Sequence, residues 1–280
     1  MSERQQLTDA RANKALGQHF LHDPNILERV ALAAGPVEGR TVIEVGPGPG
    51  GLTRALLEAN AKRVIAVEMD RRFAAALRAW PSAAQSQLHV HEGDARKVNW
   101  VDLIETAGGD KPAMIIANLP YNVGTLLLID WLKAGDWRGA MALMFQKEVA
   151  QRVAARPGDP HYGRLAVLTA AVADADLAFT LPPGAFKPPP KVDSAVVVVR
   201  PLPADKAYQR LSDLERVTEA AFGQRRKMLR ASLKRLAKSH GLDVNAWLES
   251  CHITPTDRPD NLDQKDWRAL SDALATQRSA

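Results

Sequence analysis

The stretch Thr41-Val42-Ile43-Glu44-Val45-Gly46-Pro47-Gly48-Pro49-Gly50-Gly51-Leu52 decides the fold. Thr41–Val45 is rich in β-branched residues and reads as a buried strand. Small residues and prolines then make a sharp turn, and Leu52–Asn60 has the pattern of a helix. A strand that turns through glycines into a helix opens a βα unit. The rhythm repeats outward. Val64–Glu68 reads as a second strand and Arg71–Trp80 as a helix, followed by strands at Leu88–Glu92, Ala113–Asn118 and Ala140–Phe145. This alternation predicts an α/β fold with a mostly parallel sheet between helices. Upstream, a polar lead runs into a helix at Pro24–Ala34. Downstream, a helix at Arg164–Ala171 leads to late strands at Asp176–Thr180 and Val196–Arg200, which suggest an antiparallel edge. The Pro-rich segment between them, Pro182 to Pro190, can be neither helix nor central strand. Beyond Pro201-Leu202-Pro203 only helical patterns remain, so the expected division is 1–203 for the sheet domain and 204–280 for a small all-α domain.

The composition bounds the chemistry. The chain has 280 residues, 46% hydrophobic and 25% charged, enough for one large domain and one small. One cysteine, Cys251, excludes an internal disulfide and a cysteine-based zinc site, and suits a reducing compartment. The first six residues lack the apolar core of a signal peptide. The most apolar window, 113–132, is interrupted by Asn118, Pro120, Asn122, Gly124 and Asp130, which makes it a poor membrane span. A cytoplasmic monomer is therefore expected. The net charge of +5 permits an anionic partner without demanding one.

The turn after the first strand, with Glu68 closing the next strand, has the layout of a nucleoside-cofactor site. Glycines admit a ligand to the backbone, and the carboxylate can accept both ribose hydroxyl hydrogens. A pyrophosphate would need free N–H groups at the helix start. Pro47 and Pro49 remove two of them, which disfavours a dinucleotide and suits S-adenosylmethionine. Asp94, just after the third strand, can accept from an adenine amino group, although a turn role would equally explain it. At the end of the fourth strand, Asn118-Leu119-Pro120-Tyr121 offers an acceptor for an amino group and an aromatic face for a ring. A bare Pro turn is the bland alternative. His89 and His91 share a face of their strand but lack a third ligand, so no metal is expected.

Taken together, several pieces resemble the ribosomal RNA adenine dimethyltransferases, of the type that acts on the small ribosomal subunit. They are Gly17-Gln18-His19-Phe20-Leu21, Glu44–Gly51, Glu68, Gly93-Asp94-Ala95, Asn118-Leu119-Pro120-Tyr121-Asn122, Phe186–Ser194 and Phe222-Gly223-Gln224-Arg225-Arg226-Lys227. The resemblance runs from about Lys14 to Leu270. It implies a Rossmann-like class I methyltransferase domain and a helical RNA-binding domain. It also implies dimethylation of two adjacent adenines near the 3′ end of 16S rRNA within the 30S subunit. By resemblance the methyl-donor site includes His19, Leu21, Gly46, Glu68, Asp94 and Asn118. His19 is a departure, since the family more often carries Asn there.

The adenine amino nitrogen is a poor nucleophile because its lone pair is conjugated with the ring. The implied site needs positioning and acceptors rather than a covalent intermediate. Asn118 Oδ1 and the Leu119 carbonyl would accept the amino hydrogens, with Pro120 stiffening the turn. A flipped base would lie between Tyr121 and Phe186. From its local sequence alone Phe186 reads rather as a core anchor, and the resemblance turns that reading to a base plate. From Phe222 to Lys238 the pattern is amphipathic. Apolar Phe222, Leu229, Leu233 and Leu236 lie on one arc, beside Arg226, Lys227, Arg230, Lys234 and Lys238. With Arg225 this one-sign stripe is the expected RNA surface, against the bland reading of a solvated face. The competing functions are a macrolide-resistance type enzyme acting on 23S rRNA, a non-catalytic assembly factor, and a dehydrogenase that the loop prolines disfavour.

Overall fold

In the computed structural model, residues 18–276 are described; Gly17 and the N-terminal lead lie outside them. The elements, in chain order, begin with a short strand β1 (Phe20–Leu21) and helix α1 (Pro24–Ala31). The βα series follows as β2 (Thr41–Val45), α2 (Gly51–Glu58), β3 (Arg63–Glu68), α3 (Arg71–Arg78), α4 (Pro81–Ala84), β4 (Leu88–Glu92), α5 (Trp100–Thr106), β5 (Ala113–Asn118), α6 (Gly124–Lys133), β6 (Arg138–Gln146) and α7 (Lys147–Ala154). Then come α8 (Arg164–Val172), β7 (Ala173–Leu181), β8 (Phe186–Lys187) and β9 (Ser194–Pro201). The elements α9 (Leu211–Phe222), α10 (Leu229–Ser232), α11 (Lys234–Ser239), α12 (Val244–Ser250) and α13 (Gln264–Thr276) complete the described chain.

Among the described residues, seven strands form one sheet in the order β4-β3-β2-β5-β6-β9-β7. The pairs β2–β3, β3–β4, β2–β5 and β5–β6 are parallel, and β6–β9 is antiparallel. The order reverses direction between β2 and β5, so their C-terminal ends flank the crevice where α/β sheets bind ligands. Both faces of the central strands are covered. Thr41–Val45 is buried at every position, and Ala113–Ala117 likewise. Such continuous burial is why these strands read as apolar runs rather than as alternations.

Helix starts follow the local chemistry. Asp23 caps α1 by accepting from the Asn25 and Ile26 N–H groups, with Pro24 in the first turn. Asp70 caps α3, Asn99 caps α5 and Asp243 caps α12 in the same way. The helices α5 and α6 are not expected from the sequence pattern. Helix α6 is apolar nearly all round because six of its ten residues are buried, so its period is masked.

The chain divides into two units. One holds the residues up to Ala150 with Asp176–Pro201, and the other holds Gln151–Ala175 with Leu202 onward. The expected break near residue 203 coincides with the return to the helical unit. The expected assignment of 151–175 to the sheet domain is corrected. Within the helical unit, Leu202 N–H donates to the Val172 carbonyl at 2.9 Å and Tyr208 N–H to that of Ala171 at 2.8 Å. Arg164 pairs with Glu215 at 2.5 Å. The core of this unit joins Tyr162, Phe222 and Trp267. The indole Nε1–H of Trp267 donates to Tyr162 Oη at 3.1 Å, and that hydroxyl donates to the Leu262 carbonyl at 3.0 Å.

A second correction concerns the amphipathic run 222–238. It is not one helix. Helix α9 ends at Phe222, residues 223–228 form turns, and α10 restarts at Leu229. The restart is held from outside, because Leu229 N–H donates to the Asp257 carbonyl at 2.7 Å and Arg230 N–H to that of Pro255 at 3.1 Å. These bonds satisfy first-turn donors that a continuous helix would have satisfied internally.

Candidate active site

One cavity opens at the C-terminal ends of β2, β3, β4 and β5. Its lining includes His19, Gly46, Glu68, Asp94, Asn118, Leu119, Pro120 and Tyr121. Eight residues expected from sequence therefore meet in one place. Leu21 and Phe186 do not line it. Both pack in the apolar core, at 8% and 2% exposure. The reason is the two-stranded pairing of β1 with β8, in which Leu21 sits opposite Phe186. The expectation of Phe186 as a second plate for a base is corrected here: its ring is a core anchor.

The turn after β2 works differently from expectation. Gly46, Gly48 and Gly50 all have positive φ, at 70°, 52° and 84°. A β-carbon on Gly48 would strike the Phe20 ring, and one on Gly50 would strike Trp80 and Leu77. Those two glycines serve the packing of the protein itself. At Gly46 the nearest atom to such a carbon is Pro120 Cδ, at 3.6 Å. Of the three, only Gly46 lines the cavity without such a neighbour. Pro47 and Pro49 have no N–H, and the donor between them, on Gly48, is taken by Glu68 Oε2 at 2.9 Å. No cradle for a pyrophosphate is left in this turn.

Glu68 is 4% exposed. Its other oxygen, Oε1, accepts from Asp70 N–H at 2.7 Å. Burial raises its pKa from the ordinary value, and these backbone donors act the other way. A carboxylate oxygen can accept more than one hydrogen bond, so Glu68, which lines the cavity, keeps acceptor capacity that fits a pair of ribose hydroxyls. Asp94 caps a short turn and is clasped by Arg96. Its oxygens take the guanidinium at 3.1 and 2.6 Å and the backbone N–H at 3.0 Å. The clasp by Arg96 holds the carboxyl below its usual range. Ionised, Asp94 is an acceptor only, as an adenine amino group requires. Met69, 54% exposed, lines the same cavity with an apolar side chain. This donor and acceptor set fits S-adenosylmethionine: a carboxylate for the ribose, a carboxylate for the amino group, an apolar surface for the purine and no phosphate cradle.

Asn118 ends β5. Its Nδ2 donates to the His19 main-chain carbonyl at 2.8 Å, which fixes the amide and turns Oδ1 away as an acceptor. Tyr121 follows on the turn and shares a 2.6 Å hydrogen bond between its hydroxyl and that of Ser194. Burial pushes the Tyr121 hydroxyl pKa up, so it stays neutral. The His19 ring stacks against Tyr121, with centroids 5.6 Å apart. Sequence reasoning missed Gln18, Phe20, Met69 and Arg96 as lining residues, and Ser194 as the partner of Tyr121. Only adjacency to motif residues could have flagged them.

In the helical unit, Arg226, Lys227, Arg230, Lys234 and Lys238 are exposed. Arg225 is engaged within the protein. Its Nε donates to Asp260 at 2.9 Å and its Nη2 to the Pro160 carbonyl at 3.1 Å.

The order of the sheet and the nucleoside-type cavity at its switch point define a class I S-adenosylmethionine-dependent methyltransferase. The chain belongs to the ribosomal RNA adenine dimethylase family, whose model matches residues 9–276. It is 49% identical over 270 residues to a ribosomal RNA small subunit methyltransferase A of Agrobacterium fabrum, covering 94% of this chain and 93% of that protein. A protein of the same name from Azorhizobium caulinodans is 50% identical over 270 residues, covering 95% and 90%. Among solved structures, a dimethyladenosine transferase from Plasmodium falciparum superposes with a TM-score of 0.76 at 26% identity, covering 93% of this chain and 98% of that one. The 23S rRNA methyltransferase ErmE gives 0.64 at 25% identity, covering 91% and 99%.

Proposed function

We propose that this protein transfers methyl groups to N6 of two adjacent adenines near the 3′ end of 16S rRNA, converting each to dimethyladenine on the assembling 30S particle. The observation that carries the reading is the Asn118 amide, whose Nδ2 is engaged by the His19 carbonyl, which leaves Oδ1 as an acceptor on a residue that lines the same cavity as Tyr121. The names and high identity of the small-subunit relatives favour this target over 23S rRNA.

S-adenosylmethionine supplies an activated methyl on a sulfonium when bound. Glu68 and Asp94 would hold its ribose and adenine. The rest belongs to the chain. Asn118 Oδ1 and the Leu119 carbonyl accept the amino hydrogens of the target, two before the first transfer and one before the second, which draws the nitrogen lone pair out of conjugation with the ring and aims it. Their partial negative charge offsets the positive charge that develops on that nitrogen. The Pro120 ring has no N–H to compete for these acceptors and restrains the turn. Tyr121 receives the flipped base on its ring. Neutral Tyr121 and buried Glu44 are not proton acceptors in this scheme; the proton leaves to water after transfer.

In the helical unit, Arg226, Lys227, Arg230 and Lys234 are read as phosphate contacts, with Arg225 buttressing the loop through Asp260. We take the protein to act as a cytoplasmic monomer. Among the described residues no helix is long and apolar enough to cross a membrane.

The test is incubation of the protein and labelled methyl donor with separate 30S and 50S particles from cells lacking the modification, followed by mass analysis of the RNA. Two neighbouring dimethyladenines in 16S rRNA are expected. Label in 23S rRNA alone would transfer the reading to the macrolide-resistance type. Binding without label would leave an assembly factor.

A further inference from the structure

His19 occupies the position at which the family more often has Asn, and two of its three contacts lead to the groups that handle the base. Its main-chain carbonyl accepts from Asn118 Nδ2 at 2.8 Å. Its ring nitrogen Nδ1 lies 2.8 Å from the Pro188 carbonyl. A carbonyl can only accept, so Nδ1 carries the proton and donates. The ring itself stacks on Tyr121, centroids 5.6 Å apart and planes 27° from parallel. Tyr121 is fixed at its far end by Ser194, a fully buried residue at the start of β9. The aromatic ring is thus gripped at its face by His19 and at its tip by Ser194. The same imidazole pins the Pro-rich loop, whose β8 strand is already paired to β1.

We propose that His19 is a positioning residue for the target base: its ring backs Tyr121 and ties down the Pro188 loop, and its backbone carbonyl orients Asn118. The inference rests on the reading of Asn118 and Tyr121 as the base-handling pair. It replaces the cofactor role implied for the His19 side chain by resemblance. The role of His19 differs from the one expected of Phe186, which is buried in the core: His19 supports Tyr121 from behind and does not face the base. The gap between the His19 and Tyr121 rings is too short to admit a third ring. A flipped adenine therefore stacks on the opposite face of Tyr121, with His19 as a permanent backing plate. Asn at this position can still donate to the Pro188 carbonyl but brings no ring. Phe brings the ring but no donor. The two contributions are separable.

The chain has three tyrosines, Tyr121, Tyr162 and Tyr208. The full-length protein labelled with 3-fluorotyrosine therefore gives three fluorine resonances, with Tyr121→Phe assigning one. His19→Ala is expected to move the Tyr121 line and leave the other two in place, which also shows that the fold is intact. His19→Phe should keep most of the ring effect. In kinetics on 30S particles, His19→Ala should lower kcat/KM for RNA about tenfold or more, while the Kd for S-adenosylmethionine stays within about threefold. His19→Asn should fall between wild type and His19→Ala. An unmoved Tyr121 line would overturn the proposal. So would a donor Kd weakened tenfold with unchanged RNA kinetics, which would return His19 to the cofactor site. Wild-type protein inactive on both 30S and 50S particles overturns the functional reading itself. Active wild type with unaltered His19→Ala kinetics overturns this inference alone.

Discussion

At the scale of single residues, the site is a set of fixed acceptors. Asn118 has one side of its amide tied to the His19 carbonyl, so its other side is available without reorganisation. Asn118→Ala should leave donor affinity within a few-fold and lower kcat by about 10²-fold or more, as loss of a preorganised group does in other enzymes. Single-turnover rates against donor titration separate the two. Glu44 supplies a different prediction. It is 1% exposed and accepts from Thr53 Oγ1 at 2.6 Å. Burial, opposed by that bond and reinforced by nearby Glu68, raises its pKa from 4.5 to about 8. In the unfolded chain the same carboxyl ionises near 4.5. Between these values the folded state holds a proton that the unfolded state has released. Stability therefore falls as pH rises from about 4.5 to 8, by on the order of 1 kcal/mol per pH unit, and levels off above. Glu44→Gln should flatten the fall of Tm over that window and melt above wild type at about pH 9. A Tm profile parallel to wild type would show that Glu44 ionises as it does in the unfolded chain.

At the scale of elements, the connections carry the function. The turn from β2 to α2 was legible in sequence as a glycine turn with a ligand near it. Its internal logic was not legible, because Phe20 and Trp80, the rings that exclude side chains at Gly48 and Gly50, are remote in sequence. Gly48→Ala combines a positive φ of 52° with a clash against Phe20. It should cost about 2 kcal/mol or more in denaturant unfolding. Gly184, with open space around it and no positive φ, should accept Ala with little change. The strand pair β1–β8 was invisible in sequence, since two-residue strands carry no period. That pairing decides the fate of Phe186. Its local sequence left two readings open, and the antiparallel register with Leu21 buries the ring. The helix expected over 222–238 failed for a related reason. Its apolar spacing is real, but Gly223 and the donors taken by the 255–257 segment break it into a turn and a new start.

At the scale of the whole molecule, the two units divide the labour proposed for them. The sheet unit holds the cavity, and the helical unit presents Arg226, Lys227, Arg230, Lys234 and Lys238 at its surface. Reversing charge at Arg226 and Arg230 should weaken binding to small-subunit RNA across all sequences. It should also lessen the slope of log K against log salt by about 1 for each phosphate that the variant no longer neutralises. Arg225→Ala should act instead through stability, because its guanidinium is held by Asp260 and the Pro160 carbonyl. Salt-titrated filter binding of the full chain, with Tm measured alongside, distinguishes them. Unchanged slopes for the Arg226 and Arg230 variants would assign the surface to solubility.

The sequence by itself determined the class of fold and the kind of cofactor, and it pointed to eight of the residues that line the cavity. Those follow from local rules: apolar runs make buried strands, prolines remove donors, and a carboxylate at a strand end accepts hydrogen bonds. Tertiary structure alone decided which rings frame Tyr121, which glycines serve packing rather than ligand, and which helices keep company with 151–175. Each of these depends on residues far apart along the chain being brought into contact, as His19 is with Tyr121 and Phe20 with Gly48. A one-dimensional pattern records what a residue can do, and only the folded chain settles which partner it does it with.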